Sequence, residues 1–152
     1  MTDIFDNFVV EINRIPVMDD LNKMTFVTSV ANDAFVTGSV RFGCATGNSD
    51  LDICIPIMYL DAVIDNLKGV ELTKSTYNNG FKLVHDGITV NIIPLHPLEF
   101  CAWSRAAKMA ISCDMFKKVP KERRYPMHEM LVAVAKLGID TYVFPENYHE
   151  FM

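Results

Sequence analysis

The sequence predicts a single α/β domain of the α+β kind, a mixed sheet of about five strands with flanking helices. Three observations carry that expectation. The 152 residues are half hydrophobic and 22% charged, which suits one globular core of the usual ~100–200 residues. Helical and strand periodicities alternate along the chain as two helices, two strands, a helix, three strands and two helices, placing both element types around one sheet. Asn79-Gly80 and Asp86-Gly87 separate β-rich runs and signal hairpins, because both residues of each pair tolerate positive φ.

Taken in order, residues 2–14 read as an amphipathic helix, with Ile4, Phe5, Phe8, Val9 and Ile12 at helical spacing. A second helix is expected from Asp19 to Val30, with acids in its first turn, and Asn32-Asp33 breaks the pattern. Ala34–Thr37 reads as a short strand ending in Gly38-Ser39. Asp50–Pro56 is the clearest strand, and Pro56 ends it. Tyr59–Leu67 has helical periodicity closed by Lys68-Gly69. Val70–Tyr77, Phe81–His85 and Ile88–Leu95 form a meander through the two hairpin turns. Pro97 opens a helix to about Cys113. A basic linker with Pro120 and Pro126 then leads to a last helix from His128 to Leu137, capped by Gly138. The core is expected over about 19–113, with a helical extension over 114–152 whose aromatic tail begins at Asp140.

Composition excludes several classes. No apolar run approaches the ~18 residues of a membrane helix, and the acidic start lacks the basic region of a signal peptide. A cytoplasmic protein with no membrane partner is expected. Cys44, Cys54, Cys101 and Cys113 lie far apart without metal-ligand spacing and read as buried reduced thiols. The net charge of −5 makes non-specific nucleic-acid binding poor, so DNA is not expected as a partner. The charge is uneven: Arg105, Lys108, Lys117, Lys118, Lys121, Arg123 and Arg124 face only Asp114 and Glu122 over residues 105–124. That segment is either a solvated connector or a surface for phosphate or RNA.

The chemistry concentrates in residues 35–56, FVTGSVRFGCATGNSDLDICIP. Asp50 and Asp52 are one residue apart on a strand, so alternation sends both carboxylates to one face and Leu51 to the other. Two such anions side by side suit Mg²⁺, which takes a few hard oxygens and completes its shell with phosphates and water. Gly38-Ser39 offers exposed amides, a hydroxyl and close backbone approach to phosphate oxygens. Gly43 and Gly47 let the loop bring the two ends together.

With Gly38-Ser39, three residues, Gly43, five residues and then Ser49-Asp50-Leu51-Asp52-Ile53, the sequence resembles the polymerase-beta-type nucleotidyltransferase superfamily, especially its minimal members. The match is close over about twenty residues and looser to about residue 95. The resemblance implies the polymerase-beta-like fold, and transfer of a nucleoside monophosphate from a nucleoside triphosphate such as ATP to a hydroxyl of a protein, an RNA or a small molecule. It implies Mg²⁺ or Mn²⁺ on Asp50 and Asp52, and the phosphates on Gly38 and Ser39, with Ser49 in the motif. Arg41 stands near the cradle where many minimal relatives place an arginine directly after Gly-Ser. Arg105 and Lys108, three apart on a helix face, match the basic residues that larger relatives turn toward the triphosphate.

The third carboxylate of the superfamily falls in the slot Val90-Asn91-Ile92, where this chain has Asn91. Asparagine offers a carbonyl oxygen to a metal but cannot accept a hydroxyl proton. Three readings follow: an enzyme that draws its base from elsewhere, a nucleotide-binding relative without catalysis, or an introduced change at this position. His96 is the best substitute base; Asp86, at a hairpin tip, reads as a turn residue. The alternative to an enzyme is a catalytically weak or inactive nucleotide-binding or interaction module, in the manner of one half of a toxin–antitoxin or defence pair.

Overall fold

The computed structural model describes residues 21–46, 49–75, 80–114 and 116–142, the last three as backbone. The expected helix over 2–14, Gly47, the turn residue Asn79 and the tail from 143 lie outside the described residues.

The architecture is the expected mixed α/β one. Five strands, β1 (Phe35–Thr37), β2 (Leu51–Pro56), β3 (Thr73–Lys74), β4 (Phe81–His85) and β5 (Ile88–Leu95), form one sheet in the order β1-β2-β5-β4-β3. β2 and β5 run parallel at its centre, and every other pair is antiparallel. The helices are α1 (Thr25–Thr28), α2 (Gly38–Arg41), α3 (Leu60–Asn66), α4 (Pro97–Ser112) and α5 (Lys121–Tyr142). Short 3₁₀ turns stand at Ile57–Tyr59 and Phe116–Lys118.

Side-chain alternation gives the sheet two unlike faces. Val36, Leu51, Ile53, Ile55, Phe81, Leu83, Val90 and Ile92 point to one core, shared with α1 and Val63 of α3. Asn66 ties α3 to α1 by donating to the Phe26 carbonyl at 3.2 Å. On the other face Cys54, Ile93 and Leu95 pack on Phe100 of α4. A third cluster joins α4 to α5 through Ala102, Ala106, Ala110, Leu131, Val132, Ala135 and Ile139, and takes in Cys44 and Phe116. Pro94 is tolerated inside central β5 because β4 pairing reaches only Ile92.

Several expectations are corrected. The helix from Asp19 to Val30 is interrupted at Met24, which leaves the helical region at φ −92°, ψ 66° before α1 begins. Met24 and Phe26 are both buried in the same core, and residues two positions apart on one continuous helix stand about 200° apart. The strand expected over Val70–Tyr77 is only Thr73–Lys74 among the described residues, and both of these are exposed, so neither sheet face rewards extending it. Pro126 and Gly138 do not bound the last helix: both lie inside α5, which starts at Lys121 within the basic segment. Its packing on α4 through Leu131, Val132, Ala135 and Ile139 offsets the backbone bond that Pro126 cannot make. Cys113 is exposed rather than buried.

Candidate active site

The strand register assembles the site. Thr37 of β1 pairs with Asp52 of β2, Asp52 with Asn91 of β5, and Asn91 with Lys82 of β4. In-register residues share a face, so these four form a polar row across the sheet, on the face opposite Leu51, Val90 and Val36. Asp50, two residues before Asp52, reaches the same place, where its carboxylate pairs with the Lys82 ammonium at 3.1 Å. The Asn91 amide donates from Nδ2 to Asp52 Oδ1 at 3.3 Å.

Gly38-Ser39 comes to this row because β1 ends opposite Asp52 and the chain turns into α2. Gly38 adopts φ +74°, a conformation that disfavours any side chain. A Cβ there would overlap Asp52 Oδ2 and lie 3.1 Å from Asp52 Cγ. The glycine is required on both counts, and the backbone of the bend touches the second carboxylate. The acids and the Gly-Ser bend therefore share one side of the sheet.

The electrostatics are those of a site short of positive charge. Burial pushes the Asp52 carboxyl up to about 6, with Asp50 adding to the rise; the Asn91 hydrogen bond and Lys82 oppose it. Two buried oxygens flanking Asp52, Thr37 Oγ1 and Asn91 Oδ1, have no hydrogen-bond partner. Each such orphan costs ~1–3 kcal/mol, and together with the carboxylates they fit one hard cation whose other ligands are phosphate and water. Among the described residues no group of three or more His, Cys, Asp or Glu could hold a metal; the donor set is two acids, an amide and a hydroxyl.

The remaining sequence-predicted residues are less concentrated. Ser49 clips the loop, accepting from the Thr46 amide at 2.8 Å and returning its own amide to the Thr46 carbonyl. Arg41 donates from Nη1 to the Val36 carbonyl at 3.0 Å, and burial lowers its pKa. Arg105 and Lys108 are exposed on α4, and Arg105 lies against Gly138 of α5, 3.9 Å from where a Cβ would stand. Among the described residues neither forms an ion pair with Asp50 or Asp52. His96 caps α4 beyond the end of β5. Five steps of ~3.3 Å along the strand separate it from Asn91, too far for a substitute base. Asp86 sits at φ +51° in the hairpin turn and pairs with His85, as a turn residue would.

Sequence reasoning missed Lys82 as a neighbour of the acids and, for Lys117, its contact with the loop. Lys82 is the larger omission, and its position in the alternation of β4 was the available signal. Lys117 of the basic segment lies over Gly43, with its Cε 2.7 Å from where a Cβ would stand. Beside it, Phe116 stacks on Phe42, centroids 4.7 Å apart. No local motif marks those contacts.

Comparisons with known proteins are distant. The chain is similar to Cid1 in complex with the UTP analog UMPNPP, at 18% identity and a TM-score of 0.41, over 65% of this chain and 36% of that one. It is similar to a second structure of the Cid1 poly(U) polymerase at 19% identity and a TM-score of 0.39, over 62% of this chain and 37% of that one. The chain spans little more than a third of the length of either, and the likeness is too distant to assign any residue a role. No protein-family model matches the chain, and no curated protein matches it. Among the described residues no helix is long and apolar enough to cross a membrane.

Proposed function

We propose that this domain binds a nucleoside triphosphate with one divalent cation and transfers its nucleoside monophosphate to a hydroxyl. The observation that supports this best is the contact between the Gly38 bend and the Asp52 carboxylate, in a row that holds two acids and two orphaned buried oxygens. In this reading Asp50, Asp52 and the Asn91 amide oxygen hold Mg²⁺ or Mn²⁺. Gly38 and Ser39 hold the terminal phosphates through backbone amides and the Ser39 hydroxyl. When bound, the cation neutralises charge on the phosphate oxygens. The acceptor oxygen forms a bond to the α-phosphorus as the bond to the β-phosphate oxygen breaks, and pyrophosphate leaves with the electron pair. Asn91 cannot take the hydroxyl proton, which passes to water. Arg41, Arg105 and Lys108 stand as candidate triphosphate contacts, and the acceptor is a protein, an RNA or a small molecule.

The test is pyrophosphate release from each of the four common NTPs with Mg²⁺. Turnover that Asp50→Asn and Asp52→Asn each reduce at least ~10²-fold supports the reading; release that survives both substitutions sinks it. A second reading is favoured by Asn91 in the third-acid slot and by the Lys82–Asp50 pair: a module that binds the nucleotide without turnover. In that case Mg–NTP raises the melting temperature, the Asp52→Asn variant loses that rise, and no pyrophosphate forms.

A further inference from the structure

We propose that Lys82 is an internal counter-cation of this site, occupying Asp50 in the metal-free protein and competing with the divalent ion for it. The inference rests on the metal-binding reading above and adds a residue that reading does not require. Lys82 stands in register with Asn91, next to the Asp52 row, and its ammonium sits 3.1 Å from Asp50 Oδ2. Asp52 is part-buried and among the described residues its side chain is bonded by the neutral Asn91 amide alone, whereas Asp50 has a full positive partner. The two acids are thus treated differently: one is held by a tethered cation, the other is left short of charge.

A divalent ion bridging both carboxylates has to displace the ammonium from Asp50 or sit beside it. Displacement costs an ion pair, and coexistence costs like-charge repulsion. Either way Lys82 lowers divalent affinity. The same lysine keeps Asp50 and Asp52 from destabilising the metal-free sheet by mutual repulsion. With Asn91 in place of a third acid, the row carries two negative charges and one positive one, a balance suited to one divalent ion that arrives with the triphosphate.

The experiment measures Mn²⁺ binding without nucleotide, by electron paramagnetic resonance of the free ion, together with melting temperatures with and without Mn²⁺. It uses the wild type, Lys82→Met, Lys82→Gln, Lys82→Arg and Asp52→Asn. Because Lys82 is part-exposed, the Gln variant guards against a folding failure of the Met variant. Met and Gln are expected to tighten Mn²⁺ by about three- to fivefold, the upper range for an ion pair at this exposure. They also lower the metal-free melting temperature, while Arg stays near wild type. Mn²⁺ affinity in the Met and Gln variants that is within twofold of wild type, or weaker, overturns the proposal. If that happens while wild-type binding still depends on Asp52, the metal-binding reading survives. If neither wild type nor variants bind Mn²⁺ in an Asp52-dependent way, both fall.

Discussion

Asp52 is where the fold works against a carboxylate's preference for water. Its carboxyl is drawn from water by the sheet, by Thr37 and by the Gly38 bend, and its pKa stands at about 6 against an ordinary 3.8. A group that binds its proton more tightly in the fold stabilises the fold only while protonated. The metal-free protein should therefore lose stability as pH rises from about 4 to about 6, by ~3 kcal/mol. Asp52→Asn keeps the size and the contact with Asn91 and removes the charge. It should match wild type near pH 4 and exceed it by ~2–3 kcal/mol at pH 8, in urea unfolding without metal. Parallel stability curves across that range would show that burial does not strain this carboxylate. The place of Asp52 was legible from Asp-Leu-Asp and the Gly-Ser bend. So, in principle, was Lys82: the two-residue Asp86-Gly87 turn sets His85 against Ile88 and hence Lys82 against Asn91. What the residues could not show was that Lys82 turns to Asp50, since that depends on side-chain reach rather than register.

At the scale of elements, legibility followed the locality of the cause. β4, β5 and α4 match their expected bounds to within a residue, because Asp86-Gly87 and Pro97 are local instructions. The break at Met24 and the run of α5 through Pro126 and Gly138 answer to packing partners far along the chain, which no local pattern encodes. Gly138 makes the point measurable. It lies in the helical body of α5 with no positive φ among the glycines that show one. The nearest atom to an added Cβ is Arg105 Nη1 at 3.9 Å, an ordinary contact. Gly138→Ala should then stabilise the protein by ~0.5–1 kcal/mol, through helix propensity alone, read as a higher urea midpoint. Destabilisation instead would mean that Gly138 serves as the helix stop its sequence position suggests.

For the whole molecule, the question is what holds the loop that follows the Gly38-Ser39 bend. The strands fix Asp52 and Gly38, but the chain from Phe42 to Cys44 leaves the sheet and packs on the C-terminal part. Phe42 stacks on Phe116, Cys44 is buried with α4 and α5, and the Lys117 stem crosses Gly43. Phe42 also meets His128, which lies edge-on to Trp103. The last two helices and the 3₁₀ turn between them therefore hold the chain that follows the Gly38-Ser39 bend, although among the described residues none of their side chains lies in the polar row. Removing the ring at Phe116, which is 2% exposed, tests this. Phe116→Ala should cost ~3–5 kcal/mol in urea unfolding. Under conditions where the variant is still folded, it should weaken NTP-induced stabilisation while leaving Asp52-dependent Mn²⁺ binding near wild type, because the carboxylates are set by strand register. Equal losses of both ligands would mean that the sheet and the helical layer do not divide the work, and that the cradle and the metal position are a single unit. An unchanged NTP response would mean that the loop stands on its own glycine turn at Gly43.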